Sequence, residues 1–146
     1  MSGASVDREI DQHLGKAGVR FTKGRRVVVE ALLEADGPRS AAELHAIIGP
    51  EVPLSSLYRS LAVLEECGVI VPHFGTKGIT RYEPAEWLTG HHHHVICMVC
   101  GTVEDIDVPS HYETKVRKLV DGISSLIGFE AASHTLEIEG RCGRCQ

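Results

Sequence analysis

Aromatic residues are scarce in this sequence: phenylalanine, tryptophan and tyrosine make up 5% of it, with one tryptophan. That scarcity argues against the stacked-base platforms of single-stranded nucleic-acid binders. Long apolar runs are missing too, the longest spanning a few residues against the ~20 that a membrane helix requires. The first ten residues, MSGASVDREI, are polar and mixed in charge, which is not the pattern of a secretory leader. These absences point to a cytoplasmic chain with no membrane partner, in a compartment where thiols stay reduced. What is present is an ordinary globular composition: 146 residues, 42% hydrophobic and 24% charged, enough for one domain or two small ones.

Net charge is −5, the wrong sign for a polyanion binder, yet the basic residues are not spread evenly. Lys16, Arg20, Lys23, Arg25 and Arg26 follow one another with no acid between them. On an acidic chain such a cluster reads either as a patch aimed at phosphates or as a solvated helix entry.

The first half reads mostly helical. Residues 25–34 carry a short apolar stripe that Asp36-Gly37-Pro38 stops. Ser40-Ala41-Ala42-Glu43 fits a capping box, after which Leu44, Ile47 and Ile48 are expected to face inward until Gly49-Pro50. Leu57, Leu61 and Leu64 form the stripe of a third helix over 54–66, with Gly68 at its left-handed cap. Val69–Val71 and Ile79–Glu83 then flank Gly75-Thr76-Lys77-Gly78 as a hairpin. Three helices and a hairpin make a winged helix-turn-helix plan, whose third helix enters the DNA major groove. Its exposed face is expected to carry Ser55, Ser56, Tyr58, Arg59 and Ser60, groups able to meet phosphates or base edges.

The second half changes pattern. Residues 95–96 and 102–106 read as strands. Ser110–Ile127 reads as an amphipathic helix with Val116, Leu119, Val120, Ile123, Leu126 and Ile127 on one side. Phe129–Glu139 alternates as a last strand with His134, Leu136 and Ile138 on one face. A β-α-β unit this small cannot cover its own sheet, which suggests a second copy of the chain as partner. The fold class is thus α+β. Residues 1–84 form a winged-helix DNA-binding domain, 85–90 a hinge, and 91–146 a small α/β dimerisation and metal-binding domain.

Four of the five cysteines stand in two CxxC pairs, Cys97/Cys100 and Cys142/Cys145. A two-residue gap lets both sulfurs of a tight turn face one ion, and four thiolates close a tetrahedral zinc site with no position left for a substrate. Neither pair leads from a strand into a helix as a thioredoxin-like redox motif does. Cys67, at a helix end, reads as a small buried residue. His91-His92-His93-His94 leads straight into the first pair. In extended chain, His91 and His93 point one way and His92 and His94 the other, so one run can feed two metal sites. Further ligands could come from Glu83, Asp105, Glu113 or His111, and His134.

Together these residues resemble the ferric uptake regulator superfamily of metal-dependent dimeric repressors, possibly its zinc uptake branch. The resemblance runs from KAGVRFT (16–22) through SSLYR (55–59) to the last CxxC. HHHHVICMVCG (91–101) and SHTLEIEGRCGRC (133–145) are its most specific parts. It implies a structural zinc on Cys97, Cys100, Cys142 and Cys145. It implies a regulatory divalent metal (zinc, iron or manganese) on Glu83, His92, His94 and Asp105, and a further site on His91, His93, Glu113 and His134. It also implies DNA contacts from Tyr58 and Arg59 on the reading helix and from Lys16 and Arg20 on the backbone. Many members carry a histidine just before the Ser-Ala-Glu helix, where this chain has Pro38 and Arg39. Zinc is the favoured sensed metal, and the expected partners are double-stranded operator DNA and a second copy, with no small-molecule substrate. A zinc hydrolase would need a ligand pairing with a general base such as HExxH, which is missing, so no enzyme activity is expected. A zinc-stabilised interaction module that binds no DNA is the competing reading.

Overall fold

The computed structural model describes residues 3–146. The chain divides into two compact units, one ending at His91 and the other running from His92 to Gln146.

The first unit begins with a helix that the sequence pattern conceals, α1 (Gly3–Lys16), in which only Ile10 and Leu14 are buried. Helix α2 (Lys23–Leu33) is capped by Thr22, whose side chain accepts from the Arg25 amide. Helix α3 (Ala41–Ile48) starts at the Ser40 capping box: the Glu43 amide donates to Ser40 Oγ at 3.2 Å, and the Ser40 amide to Glu43 Oε2 at 2.7 Å. Such a cap is worth about 1 kcal/mol. Leu44 is buried, but Ile47 is exposed rather than inward, because it lies about 60° past the edge of the stripe that Leu44 and Ile48 define.

Helix α4 (Leu54–Glu66) buries Leu57, Leu61 and Leu64. It closes as a Schellman motif, with the Gly68 amide on Glu65 O and the Val69 amide on Leu64 O, both at 2.9 Å. Gly68 has φ +69° there, a conformation that disfavours any residue with a Cβ. Ile10, Leu14, Val28, Leu32, Leu44, Leu57, Leu61 and Leu64 make one continuous core.

A short strand β1 (Arg39–Ser40) pairs with β3 (Thr80–Pro84), which pairs in turn with β2 (Ile70–Phe74), all antiparallel. Arg81 on β3 is buried, and its guanidinium lies 3.5 Å from Glu43 Oε1, fastening the wing to α3. The segment expected as a hinge contains a helical turn, α5 (Glu86–Thr89), whose Trp87 indole donates to Gly68 O at 2.9 Å.

In the second unit, β4 (His93–Cys97) is the central strand between β5 (Val103–Ile106), antiparallel, and β6 (Glu137–Gly140), parallel. Helix α6 (Ser110–Ile127) joins β5 to β6 and ends on Gly128 in the left-handed region. The last strand is shorter than the alternation over 129–139 suggests. Residues 129–136 form no strand: the ladder with β4 begins at Glu137, just after the Leu136 carbonyl, which accepts from the His94 amide at 3.2 Å. The apolar side of α6 is not covered within the unit: Leu119, Ile123, Leu126 and Ile127 are all at least half exposed, Leu126 at 86%. Among the described residues no helix is long and apolar enough to cross a membrane.

Candidate metal centres and nucleic-acid face

The parallel pairing of β4 with β6 sets Cys97 opposite Gly140, so both CxxC turns emerge at the same end of the sheet. In the first, the Gly101 amide donates to Cys97 O at 2.8 Å; in the second, the Cys145 amide donates to Cys142 O at 2.9 Å. The four Sγ atoms lie within 4.8 Å of one another, and those of Cys100 and Cys142 are 3.8 Å apart. A tetrahedron with ~2.3 Å zinc–sulfur bonds has sulfur–sulfur edges of roughly 3.8 Å, so the donor set fits such an ion.

The thiol chemistry points the same way. Amide donors, from Cys100 first and also from Cys142, push the Cys97 thiol down to about 5, while hydrogen bonding with Cys142, together with burial, raises Cys145 to about 12. Four sulfurs this close cannot all ionise alone; a divalent cation removes the conflict.

Two imidazole–carboxylate clusters lie toward the opposite end of β4, where His93 and His94 begin the strand. On one, Glu113 from the first turn of α6 places Oε2 2.7 Å from His93 Nε2 and Oε1 3.1 Å from His134 Nε2. His93 is almost fully buried. Glu113, not His111, is the residue of α6 in this cluster: His111 lies against Tyr112 on the exposed side, the rings tilted by 41° with centroids 4.0 Å apart. On the other, Asp105 Oδ1 lies 3.3 Å from His94 Nε2 and 3.8 Å from His92 Nε2, with the two rings edge to face at 5.0 Å. In each cluster the ligand atoms are all within 4.8 Å, a nitrogen and oxygen donor set that suits zinc, iron or manganese.

Of the other expected ligands, Glu83 lies on β3 opposite Val71, and His91 places Nδ1 3.0 Å from Glu86 Oε1. Glu86 gives no signal in the sequence, where it is a lone acid in a turn-rich stretch. Arg39 pairs with Asp36 and donates to the carbonyls of Gly37 and Pro38 at 3.2 Å.

On α4 the buried leucine stripe leaves Ser55, Tyr58 and Arg59 exposed and Ser56 half-buried. Ser60 is buried and does not belong to the outer face: it falls beside Leu57, Leu61 and Leu64 on the helix. Lys16, Arg20 and Lys23 are exposed. The other two basic residues are engaged within the fold. Arg25 donates to Arg20 O, and Arg26 pairs with Asp7 while its guanidinium sits 4.3 Å over the Phe21 ring. Asp7, on α1, is the acid that offsets the cluster.

A winged helix followed by a sheet unit rich in thiols and imidazoles defines a metal-responsive transcription regulator. The chain belongs to the ferric uptake regulator family, whose model matches residues 16–139. It is 35% identical over 133 residues to the ferric uptake regulation protein of Brucella abortus, covering 89% of each chain. It is 26% identical to the peroxide-responsive repressor PerR of Staphylococcus epidermidis, covering 97% of this chain and 93% of that one. Among solved structures it is similar to the Helicobacter pylori ferric uptake regulator, described as having three functional metal binding sites. The TM-score is 0.75 at 27% identity, covering 97% of this chain and 92% of that one.

Proposed function

We propose that this chain is a dimeric repressor that binds duplex operator DNA when a regulatory divalent metal is bound, and that zinc is the metal sensed. The single observation that carries the reading is the position of the imidazole run. It starts where the first unit ends, and His92, His94 and Asp105 already gather their ligand atoms there. Cys97, Cys100, Cys142 and Cys145 hold a structural zinc. His92, His94 and Asp105, completed by Glu83 from the end of the wing, form the regulatory set. His93, Glu113 and His134, completed by His91, form a further set. A divalent ion held by these residues would supply Lewis-acid bonds to their nitrogen and oxygen donors.

The residues of the chain do the rest. Glu83 and the histidines bias the unit carrying α4 toward one arrangement, so that two copies span two half-sites. A factor of 100 in operator affinity corresponds to ~2.7 kcal/mol of coupling. The exposed apolar side of α6 supports pairing of two copies, because a patch of this kind is normally buried in an interface. Tyr58 and Arg59 read base edges, while Lys16 and Arg20 hold phosphates. We assign residues 1–84, 85–90 and 91–146 to DNA binding, connection, and dimerisation with metal binding. The role is regulatory, not catalytic. Iron or manganese sensing is the second reading, favoured by the oxygen donors of Glu83 and Asp105.

The test is fluorescence anisotropy on a labelled family-type operator duplex, under reducing conditions, with zinc, iron(II) or manganese(II) and then a chelator. Tight binding that appears with one metal and disappears on chelation supports the reading. Metal-independent binding, or none, overturns it.

A further inference from the structure

We propose that Glu86 is a positioning residue for His91 and that, through its neighbour Trp87, it couples metal binding at His91, His93, Glu113 and His134 to the C-terminal end of α4. The proposal rests on the metal reading of that histidine set and adds to it a route and a residue.

A ligating imidazole binds metal through one nitrogen. The N–H of the other is commonly donated to a carboxylate, which fixes the tautomer and raises the ligand's basicity. His91 Nδ1 stands 3.0 Å from Glu86 Oε1. With Nδ1–H donated to Glu86, Nε2 is the nitrogen that His91 presents to a metal. As a half-exposed ion pair the contact contributes little to stability, so its geometric role is the one to examine.

Glu86 is the first residue of α5, and α5 is tightly held. The Trp87 indole donates to Gly68 O at 2.9 Å, and the ring stacks on His13 with centroids 4.7 Å apart. His13 Nε2 in turn donates to Cys67 O at 2.7 Å, and the Ala85 amide donates to Val69 O at 3.0 Å. Leu88 packs against the main core. Three consecutive carbonyls at the end of α4, those of Cys67, Gly68 and Val69, thus receive donors from α1 and from residues 85–87. The connector is anchored to the helix that carries Tyr58 and Arg59. The first residue beyond it with unusual backbone freedom is Gly90, at φ +83°. A force on the His91 ring therefore meets Glu86, then the Trp87 anchor, then the last turn of α4.

The chain's one tryptophan makes the route observable. Zinc is titrated into wild type, Glu86→Ala, Glu86→Gln and His93→Ala, following bound zinc per chain and Trp87 emission. In wild type, emission changes as the histidine site fills. Glu86→Ala should weaken zinc binding there by about 10- to 100-fold and lose the emission change even at saturation, with the metal-free melting temperature unaltered. Glu86→Gln, whose amide oxygen still accepts the Nδ1–H, should recover most of both. Wild-type affinity and emission response in Glu86→Ala, when His93→Ala loses one zinc, overturns the role of Glu86 alone. Weakened affinity with an unchanged emission response overturns the coupling to α4. Undiminished zinc in His93→Ala overturns the metal reading of the set, and the role of Glu86 with it.

Discussion

His94 and Asp105 face each other across the antiparallel β4–β5 pair, with Nε2 3.3 Å from Oδ1. Their alignment is a by-product of the cysteine turn. The hairpin that brings Cys97 and Cys100 round also sets the register that delivers Asp105 to His94. Closing the sulfur cluster and bringing Asp105 to His94 are one operation of the backbone.

Removing the sulfur site should therefore disturb more than zinc content. Cys142→Ser is expected to lose a tightly held zinc, loosen the β4–β6 pairing and abolish the dimer. Metal analysis with sedimentation and circular dichroism checks this; a folded, zinc-free dimer would falsify it.

His92→Ala and Asp105→Ala should each keep the dimer and the sulfur-bound zinc while losing metal-dependent operator affinity, by about 10- to 100-fold. Operator titrations at fixed metal give the comparison. Wild-type coupling in both variants would remove this cluster from the switch.

Arg59→Ala should erase the difference between operator and random duplex. Lys16→Ala and Arg20→Ala should instead weaken binding to both and lower the salt slope by about one each. Arg26→Ala belongs to neither class. Its guanidinium is committed to Asp7 and Phe21, so it should lower the melting temperature with little change in the salt slope.

Much of this is legible in the sequence, for identifiable reasons. CxxC spacing is local chemistry, and Leu57, Leu61 and Leu64 repeat at a period only a helix serves. Helix α1 is not legible, because Val6, Ile10 and Leu14 are a one-residue-wide stripe in a polar segment. It forms because Ile10 and Leu14 join the main core, with Val6 packed against it. The role of Glu86 is hidden for a related reason: α5 exists by virtue of Trp87 and Leu88 packing, which no short-range pattern announces. The start of β6 is set by where its parallel partner β4 begins, so alternation alone makes the strand too long.

Glu43 supplies a pH dependence. Burial opposes its ionisation, but the Ser40 amide and the Arg81 guanidinium outweigh that and hold the carboxyl below its ordinary value. A depressed carboxyl contributes stability that is complete above the ordinary value of 4.5 and is lost as pH falls through the lowered one. Glu43→Gln, which keeps the capping hydrogen bond but not the charge, should therefore melt slightly below wild type at pH 6, and the gap should narrow toward pH 3. A gap that is constant over this range would rule out the ionic part of the cap.

The parallel partnership of β4 and β6 also has a consequence for biosynthesis. A nascent chain can complete the β2–β3 wing and the β4–β5 hairpin as they leave the ribosome. Strand β4 nevertheless keeps one edge open until residues 137–140 arrive, and the sulfur cage cannot close before Cys145 is made. An open edge strand beside an uncovered helix invites mispairing and proteolysis. On the proposed zinc reading of that cage, metal supply at the moment of synthesis would set how many chains survive to become regulators, upstream of any signal the finished molecule senses.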